Sequence, residues 1–316
     1  MEGIPVLDFA RWRSQGPDRD ALVEELGASL SELGFVALIH HGIELELLDH
    51  AYAVAAQTFA LSQATKQRYE TPDDGRQRGY TSFGIEHAKD ASSADLKEFW
   101  HVGREPGRGG QLSPNRFPSE IPEFEPTFSA LFGALDALSR EVLAAIALWL
   151  GLPRGWFEPW VSGGNSVLRV IHYPPIDPGL RQIEPLVRAS AHEDINLLTL
   201  LPSSTAPGLE LERRSGAHGR TWLPIDPPPQ AMICDTGDMM QRITAGRLPA
   251  TTHRVVVPPG ERDRSRFSMP FFVHPHPSVR LDAIDGSAEG PTAGELLQQR
   301  LEAIGVAPRR PAGRGR

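Results

Sequence analysis

The feature that most constrains this chain is a change of period near Val167. Before it, apolar residues recur at helical spacing. Leu22, Val23, Leu26, Leu30 and Leu33 form one stripe, and Gly34 follows as a stop. A second helix is predicted over about 44–61. A third begins near Pro126 and carries Phe128, Leu131, Phe132, Leu135, Leu138, Val142, Ile146 and Leu150 before Gly151 and Pro153. A stripe that long needs a sheet, a barrel or other helices to cover it. Phe35-Val36-Ala37-Leu38-Ile39 reads as a buried strand, and the polar, Gly/Pro-rich stretch 73–116 reads as loops. From Val167 onward the runs are short: VLRVIHY, INLLTLL, GLELE, AMICD, HRVVV and RFSMPFFV. Turn clusters such as DPG, PSST, DTGD and PPGERD separate them. This is the rhythm of an antiparallel barrel or jelly roll.

Composition narrows the class. Hydrophobic residues are 40% and charged residues 23% of 316, near the averages of globular chains, which argues against bulk disorder. Lys+Arg 32 against Asp+Glu 40 gives a net charge of −8, a poor balance for binding nucleic acid or an anionic membrane. Cys234 is the lone cysteine, so internal disulfides and cysteine-cluster metal sites are excluded, which suits a reducing compartment. The longest apolar run, 142–153, is too short to span a bilayer, and the opening MEGIPVLDFARW lacks a signal-peptide pattern. The expected location is cytoplasmic.

The strongest chemical signal is His192-Glu193-Asp194, with His253 opening a later β-like run. In a strand, residues i and i+2 share a face, so His192 and Asp194 can meet one ion while Glu193 points away. His253 can supply a second imidazole. Two His and one carboxylate with open positions form the facial triad of non-haem Fe(II) oxygenases. The zinc motif HExxH fails, because Asn196 stands where its second His belongs. Arg266 and Ser268 likewise share a strand face. A guanidinium beside a hydroxyl makes a fork for a carboxylate.

An ordered series of short pieces accompanies these residues. It runs through Ile4-Pro5-Val6-Leu7-Asp8-Phe9, Gly34-Phe35, His41-Gly42-Ile43 and Arg169 to Tyr173-Pro174-Pro175. It continues through His192-Glu193-Asp194, Gly208-Leu209-Glu210-Leu211, Trp222, Gly237-Asp238, His253-Arg254-Val255 and Arg266-Phe267-Ser268. The chain thereby resembles the isopenicillin N synthase-like, plant-type family of Fe(II)/2-oxoglutarate-dependent dioxygenases, over roughly residues 3 to 275. The resemblance implies an α+β fold with a double-stranded β-helix (jelly-roll) core and N-terminal and flanking helices. It implies His192, Asp194 and His253 as Fe(II) ligands, and Arg266, Ser268 and the Tyr173 hydroxyl on the distal carboxylate of 2-oxoglutarate. O2 is then the second co-substrate, and oxidative decarboxylation is coupled to hydroxylation or desaturation of a small molecule. The family's Asn before the Tyr-Pro-Pro stretch is replaced, since Ile171-His172 precede Tyr173 here. His41, His172, His274 and His276 read as structural.

The expected division is a mainly helical N-terminal region over 1–125 and a jelly-roll catalytic core with its long supporting helix over 126–280. A C-terminal extension follows over 281–316, with a disordered basic tail over 309–316. Stretches 78–83, Glu86 and 97–100 are candidate contributors to a substrate pocket, with Lys97-Glu98 equally readable as a solvated pair. The segment 212–220 reads as a lengthened hairpin loop. Two alternatives remain at this level. Some oxidases of the same family keep the Arg-x-Ser pair without using 2-oxoglutarate, and a catalytically inactive barrel could serve as a binding or sensor module. No sequence feature sets an oligomeric state.

Overall fold

The computed structural model describes residues 3–86, 95–106, 112–177, 179, 186–215 and 219–303. The N-terminal half runs β1 (Val6–Asp8), α1 (Pro17–Leu33), β2 (Phe35–Ile39), α2 (Leu45–Phe59), α3 (Gln63–Gln67), β3 (Gly79–Thr81), β4 (Glu98–Gly103), α4 (Phe124–Trp149) and α5 (Glu158–Val161). The second half runs β5 (Val167–Tyr173), β6 (Val187–His192), β7 (Leu198–Pro202), β8 (Leu209–Ser215), β9 (Gly219–Pro224), β10 (Met232–Thr236), α6 (Asp238–Ile243), β11 (His253–Val256), β12 (Arg266–Ser268), β13 (Phe271–Val273) and α7 (Ala293–Ala303).

Local chemistry sets the helices. Pro17 opens α1, where a missing N–H costs nothing, and Asp18 and Asp20 sit against the positive end of its dipole. Gly34 closes it at φ 69°, donating its N–H to the Leu30 carbonyl at 2.9 Å. A side chain at Gly34 would also collide with Thr251, since a Cβ there would lie 2.4 Å from Oγ1. The chain can therefore turn from α1 straight into β2.

Two sheets face each other as a jelly roll. Among the described residues the larger has the order β1-β2-β10-β7-β13-β5-β4-β3, with β12 also paired to β5, and the smaller has the order β6-β11-β8-β9. Side-chain alternation divides each strand between two cores. Ile171, Tyr173, Leu201 and Ile233 of the large sheet meet Ala189, Leu209, Leu211 and Val255 of the small one, which fills the barrel. The opposite face of the large sheet, with Val170, Leu200, Met232, Cys234 and Phe271, packs on α4 through Phe128, Leu131, Leu135 and Val142. The apolar stripe of α4 is thus covered by the sheet and by the helices α1 and α2. No helix among the described residues is long and apolar enough to cross a membrane.

Four expectations need correction. The stretch 73–116 is not all loop, because β3 and β4 add two strands to the large sheet, and β4 is buried along its whole length. The segment 212–220 is mostly paired: β8 and β9 form a ladder from Glu210↔Pro224 to Ser215↔Gly219, and 216–218 lie outside the described residues. The run RFSMPFFV is two strands, broken at Met269-Pro270, where proline cannot donate to a ladder. The strand bearing His192 ends there, so Asp194 lies in the following turn rather than on the strand. The tail 309–316 lies outside the described residues.

Candidate metal centre and its cavity

Register brings the two imidazoles together. His253 on β11 is the direct antiparallel partner of His192 on β6, and the ring centroids are 4.5 Å apart. Each ring is oriented by its own chain. His192 Nδ1 donates to the Ser190 carbonyl at 2.7 Å, and His253 Nδ1 donates to the Thr251 carbonyl at 3.1 Å. Nδ1 carries the proton in both, which leaves the Nε2 lone pairs to face inward. Burial, with His253 alongside, depresses His192 to about 4, so the ring is neutral near pH 7.

The turn after β6 swings Asp194 into the same space. Its Oδ1 lies 3.9 Å from His192 Nε2 and 3.8 Å from His253 Nε2. Its Oδ2 accepts from Thr199 Oγ1, which in turn accepts from Asn196 Nδ2 at 2.8 Å. The backbone holds the turn as well, with Asp238 N donating to the Asp194 carbonyl at 2.8 Å. Gly237 makes this approach possible. A Cβ there would sit 2.4 Å from the Asn196 carbonyl and 2.8 Å from that of Asp194. Asp235 lies beneath the site, and burial beside Asp194 pushes its carboxyl well above the usual range. One ligand atom from each of His192, Asp194 and His253 falls within 4.8 Å of the others. Donors sharing an ion at bond lengths of about 2.1 Å stand at most about 4.2 Å apart, and the two measured separations meet that limit. Nitrogen and carboxylate donors on one side of the space suit Fe(II) with open coordination positions.

The second group predicted from sequence gathers around β12, where Arg266 lines a separate cavity with Ser204 and Tyr52. Arg266 on β12 pairs across the ladder with Tyr173 on β5, and its guanidinium carbon lies 5.2 Å from the Tyr173 ring centre. Arg266 is 2% exposed. Its Nε donates to the Ala206 carbonyl at 3.0 Å and its Nη2 to Ser204 Oγ at 2.8 Å. Ser204 Oγ lies 3.2 Å from Ser268 Oγ. Nη1 is buried with no partner. No carboxylate among the described residues pairs with this cation, and burial depresses it below arginine's usual range. A buried guanidinium with an orphan donor beside two hydroxyls fits an incoming carboxylate.

A cavity of about 370 Å³ opens beside the triad and is lined by His192, Asp194, Glu193, Phe272, Arg169 and Lys97 among others. Of the candidates at 78–83, Glu86 and 97–100, only Glu86 and Lys97 reach it. Lys97 and Glu98 are not a solvated pair: Lys97, just before β4, and Glu98, its first residue, point to opposite sides. Lys97 pairs with Glu86 at 3.0 Å and with Asp95 at 2.9 Å in the cavity wall. Glu98 is buried on the other side with Lys66 at 2.7 Å, His172 at 2.8 Å and the Tyr80 hydroxyl.

Sequence reasoning gave no site role to Arg169, His101, His274 or Arg300, all in the cavity wall. His274 had read as purely structural, yet its Nδ1 is buried there without a partner. The helical period of 293–303 was the signal for the roof, where Leu297, Arg300 and Leu301 of α7 close over the cavity. Arg300 pins that helix to Asp238 at 2.5 Å. His41, by contrast, is structural as expected: Nε2 donates to the Gln230 carbonyl at 3.0 Å and Nδ1 accepts from Ile43 N at 3.2 Å.

Comparison with known proteins returns one consistent picture. Residues 4–123 match the family described as non-haem dioxygenase in morphine synthesis N-terminal, and residues 164–275 match the 2OG-Fe(II) oxygenase superfamily. The 2-oxoglutarate-Fe(II) type oxidoreductase hxnY of Emericella nidulans is 31% identical over 289 residues, covering 86% of this chain and 80% of that protein. A crystal structure of a 2OG-Fe(II) oxygenase family protein from Caulobacter crescentus is 39% identical, with a TM-score of 0.82 over 96% of this chain and 100% of that one. A full-length Neurospora crassa protein, crystallised with alpha-KG and thymine, is 27% identical with a TM-score of 0.83, over 95% of this chain and 96% of that one.

Proposed function

The chain belongs to the 2OG-Fe(II) oxygenase superfamily, and on that footing we propose that His192, Asp194 and His253 hold its Fe(II) while Arg266, Ser268 and Tyr173 hold 2-oxoglutarate. The activity is that of a 2-oxoglutarate-dependent oxygenase. Bound Fe(II) with 2-oxoglutarate and O2 would supply oxidative decarboxylation to succinate and CO2, one oxygen atom of O2 entering succinate and the other converting a substrate C–H to an alcohol.

The observation that carries the site assignment is the tautomer-locked triad, whose three donor atoms converge beside the cavity. The chain's own groups do the positioning. Ser190 and Thr251 carbonyls keep Nε2 of each imidazole unprotonated and aimed at the ion. Thr199 occupies Asp194 Oδ2, so Oδ1 is the oxygen turned to the two histidines. Arg266 Nη1 and the Ser268 hydroxyl offer the distal carboxylate of the co-substrate its bonds, and the apolar barrel lining keeps water from competing. An intact donor set speaks against an inactive binding module. The substrate is a small molecule, supported by the size of the cavity and by a net charge that disfavours nucleic acid. The reading places the enzyme in the cytoplasm, where buried Cys234 stays reduced.

The test is succinate release from 2-oxoglutarate without added substrate. Slow turnover that requires Fe(II) and O2 and is lost in His192→Ala is expected. Fe(II)-dependent O2 uptake with no succinate would favour the oxidase alternative and overturn the 2-oxoglutarate assignment.

A further inference from the structure

Beside the metal centre stands an arginine held from several sides. Arg169 lies on β5 directly across the ladder from His101 on β4. Its Nε donates to His101 Nε2 at 2.7 Å and its Nη1 to Glu86 at 2.9 Å. The guanidinium is clamped between Phe99, at 4.3 Å from the ring centre, and Phe272, at 5.3 Å. Nη2 makes no hydrogen bond among the described residues. His101 is fixed as well, since its Nδ1 donates to the Arg76 carbonyl at 2.8 Å and its Nε2 is therefore an acceptor. Such a clamp costs side-chain freedom in advance, which favours recognition of whatever meets the remaining donor.

The neighbouring charges say what that is. Arg169 and Lys97 are balanced by Glu86 and Asp95, and Arg300 by Asp238. An incoming carboxylate would have no cation left to neutralise it, and Glu193 in the same wall would repel it. A neutral carbonyl oxygen needs only the free donor. Glu86 Oε2 is buried without a partner in the same wall, one carboxylate atom away from the bond to Arg169, and an N–H would satisfy it. Donor beside acceptor matches the edge of a cis amide.

Resting on the oxygenase reading above, we propose that Arg169 and Glu86 form the substrate-recognition edge of the cavity, and that the substrate is a compact neutral molecule presenting an adjacent C=O and N–H, as a lactam or cyclic imide does. Arg169 is here a binding residue that orients the substrate toward the ion; it takes no part in the chemistry.

The experiment is calorimetric titration of anaerobic enzyme loaded with Fe(II) and 2-oxoglutarate, using uracil, glutarimide and 2-piperidone as neutral probes and benzoate as the anionic one. The Fe(II)–2-oxoglutarate charge-transfer band is recorded on the same samples. Wild-type protein showing the band is expected to bind at least one neutral probe and to bind benzoate at least tenfold more weakly. Arg169→Met is expected to keep the band and to weaken the neutral probe at least tenfold. Glu86 keeps Lys97 as its partner in that variant, so the fold survives. Arg169→Lys, which retains charge without the fork, is expected to recover only part of the loss. Band-positive wild-type protein that prefers benzoate, binds no neutral probe, or binds one equally well in Arg169→Met overturns the proposal. Absence of the band in wild-type protein is a different failure, that of the oxygenase reading itself.

Discussion

Replacing Arg266 by Met separates co-substrate binding from the fold. The guanidinium is buried and unpaired by any described carboxylate, its Nη1 has no partner, the Tyr173 ring lies 5.2 Å away, and Ser204 links its Nη2 to Ser268. If this fork holds 2-oxoglutarate, its removal leaves a desolvated carboxylate without its cation. Truncating one partner of such a pair costs about 2–5 kcal/mol. Taking about 2.7 kcal/mol, the dissociation constant rises about 100-fold. Thermal unfolding reads this out. With unfolding entropy near 2.1 cal/mol/K per residue, a chain of 316 residues has about 0.66 kcal/mol/K in all. At 2-oxoglutarate 100 times its dissociation constant, wild-type protein gains about 2.7 kcal/mol, a rise in Tm of about 4 °C. At the same concentration the variant gains about 0.4 kcal/mol, a rise of under about 1 °C. The scans are made anaerobically with Fe(II), each against its own 2-oxoglutarate-free control. An equal rise in both proteins would refute the assignment of the fork.

Other perturbations reach different parts of the account. Gly237→Ala drives a methyl group into the Asn196 and Asp194 carbonyls, so Fe(II) affinity by anaerobic titration is expected to fall at least tenfold; unchanged affinity would show that the turn does not position Asp194. Lys66→Met leaves buried Glu98 without its ammonium partner, and urea unfolding is expected to show a loss of about 3–5 kcal/mol, against little if Glu98 were solvated. Burial holds His274 at about 4, below its ordinary 6.5, so the unfolded chain takes up this proton first and the metal-free protein loses stability as pH falls from about 6.5 toward 4. The loss from this residue is about 3 kcal/mol, and His274→Phe is expected to flatten that part of the urea-midpoint profile; an unaltered profile would place His274 in a solvated setting.

What was legible in the sequence follows from how each element earns its stability. Strands such as β5, β7 and β10 are buried on both faces by apolar residues, so their runs stand out against the turns between them. The same is true of the α4 stripe. β4 escaped because each of its two buried faces carries a polar residue. Glu98 and His101 look like surface residues until Lys66, His172, Arg76 and Arg169 are brought to them from elsewhere in the chain. The convergence of His192, Asp194 and His253 was readable because the first two are close in sequence and His253 heads a β-run, although a turn, not strand alternation, delivers Asp194. Arg169 sat in plain view in VLRVIHY, but its clamp is made by Glu86, Phe99, His101 and Phe272, none of them sequence neighbours. Periodicity reports which side of an element is buried; it carries no information on which buried polar groups meet.

The central claim is that one ion and one 2-oxoglutarate are held by two residue groups in the same barrel. Anaerobic addition of Fe(II) and then 2-oxoglutarate, followed by visible absorption, tests it most directly. A weak charge-transfer band in the green is expected in wild-type protein, absent in His253→Ala and recovered in Arg266→Met only at about 100-fold more 2-oxoglutarate. A band of full strength in His253→Ala, or none in iron-loaded wild-type protein, would contradict the account.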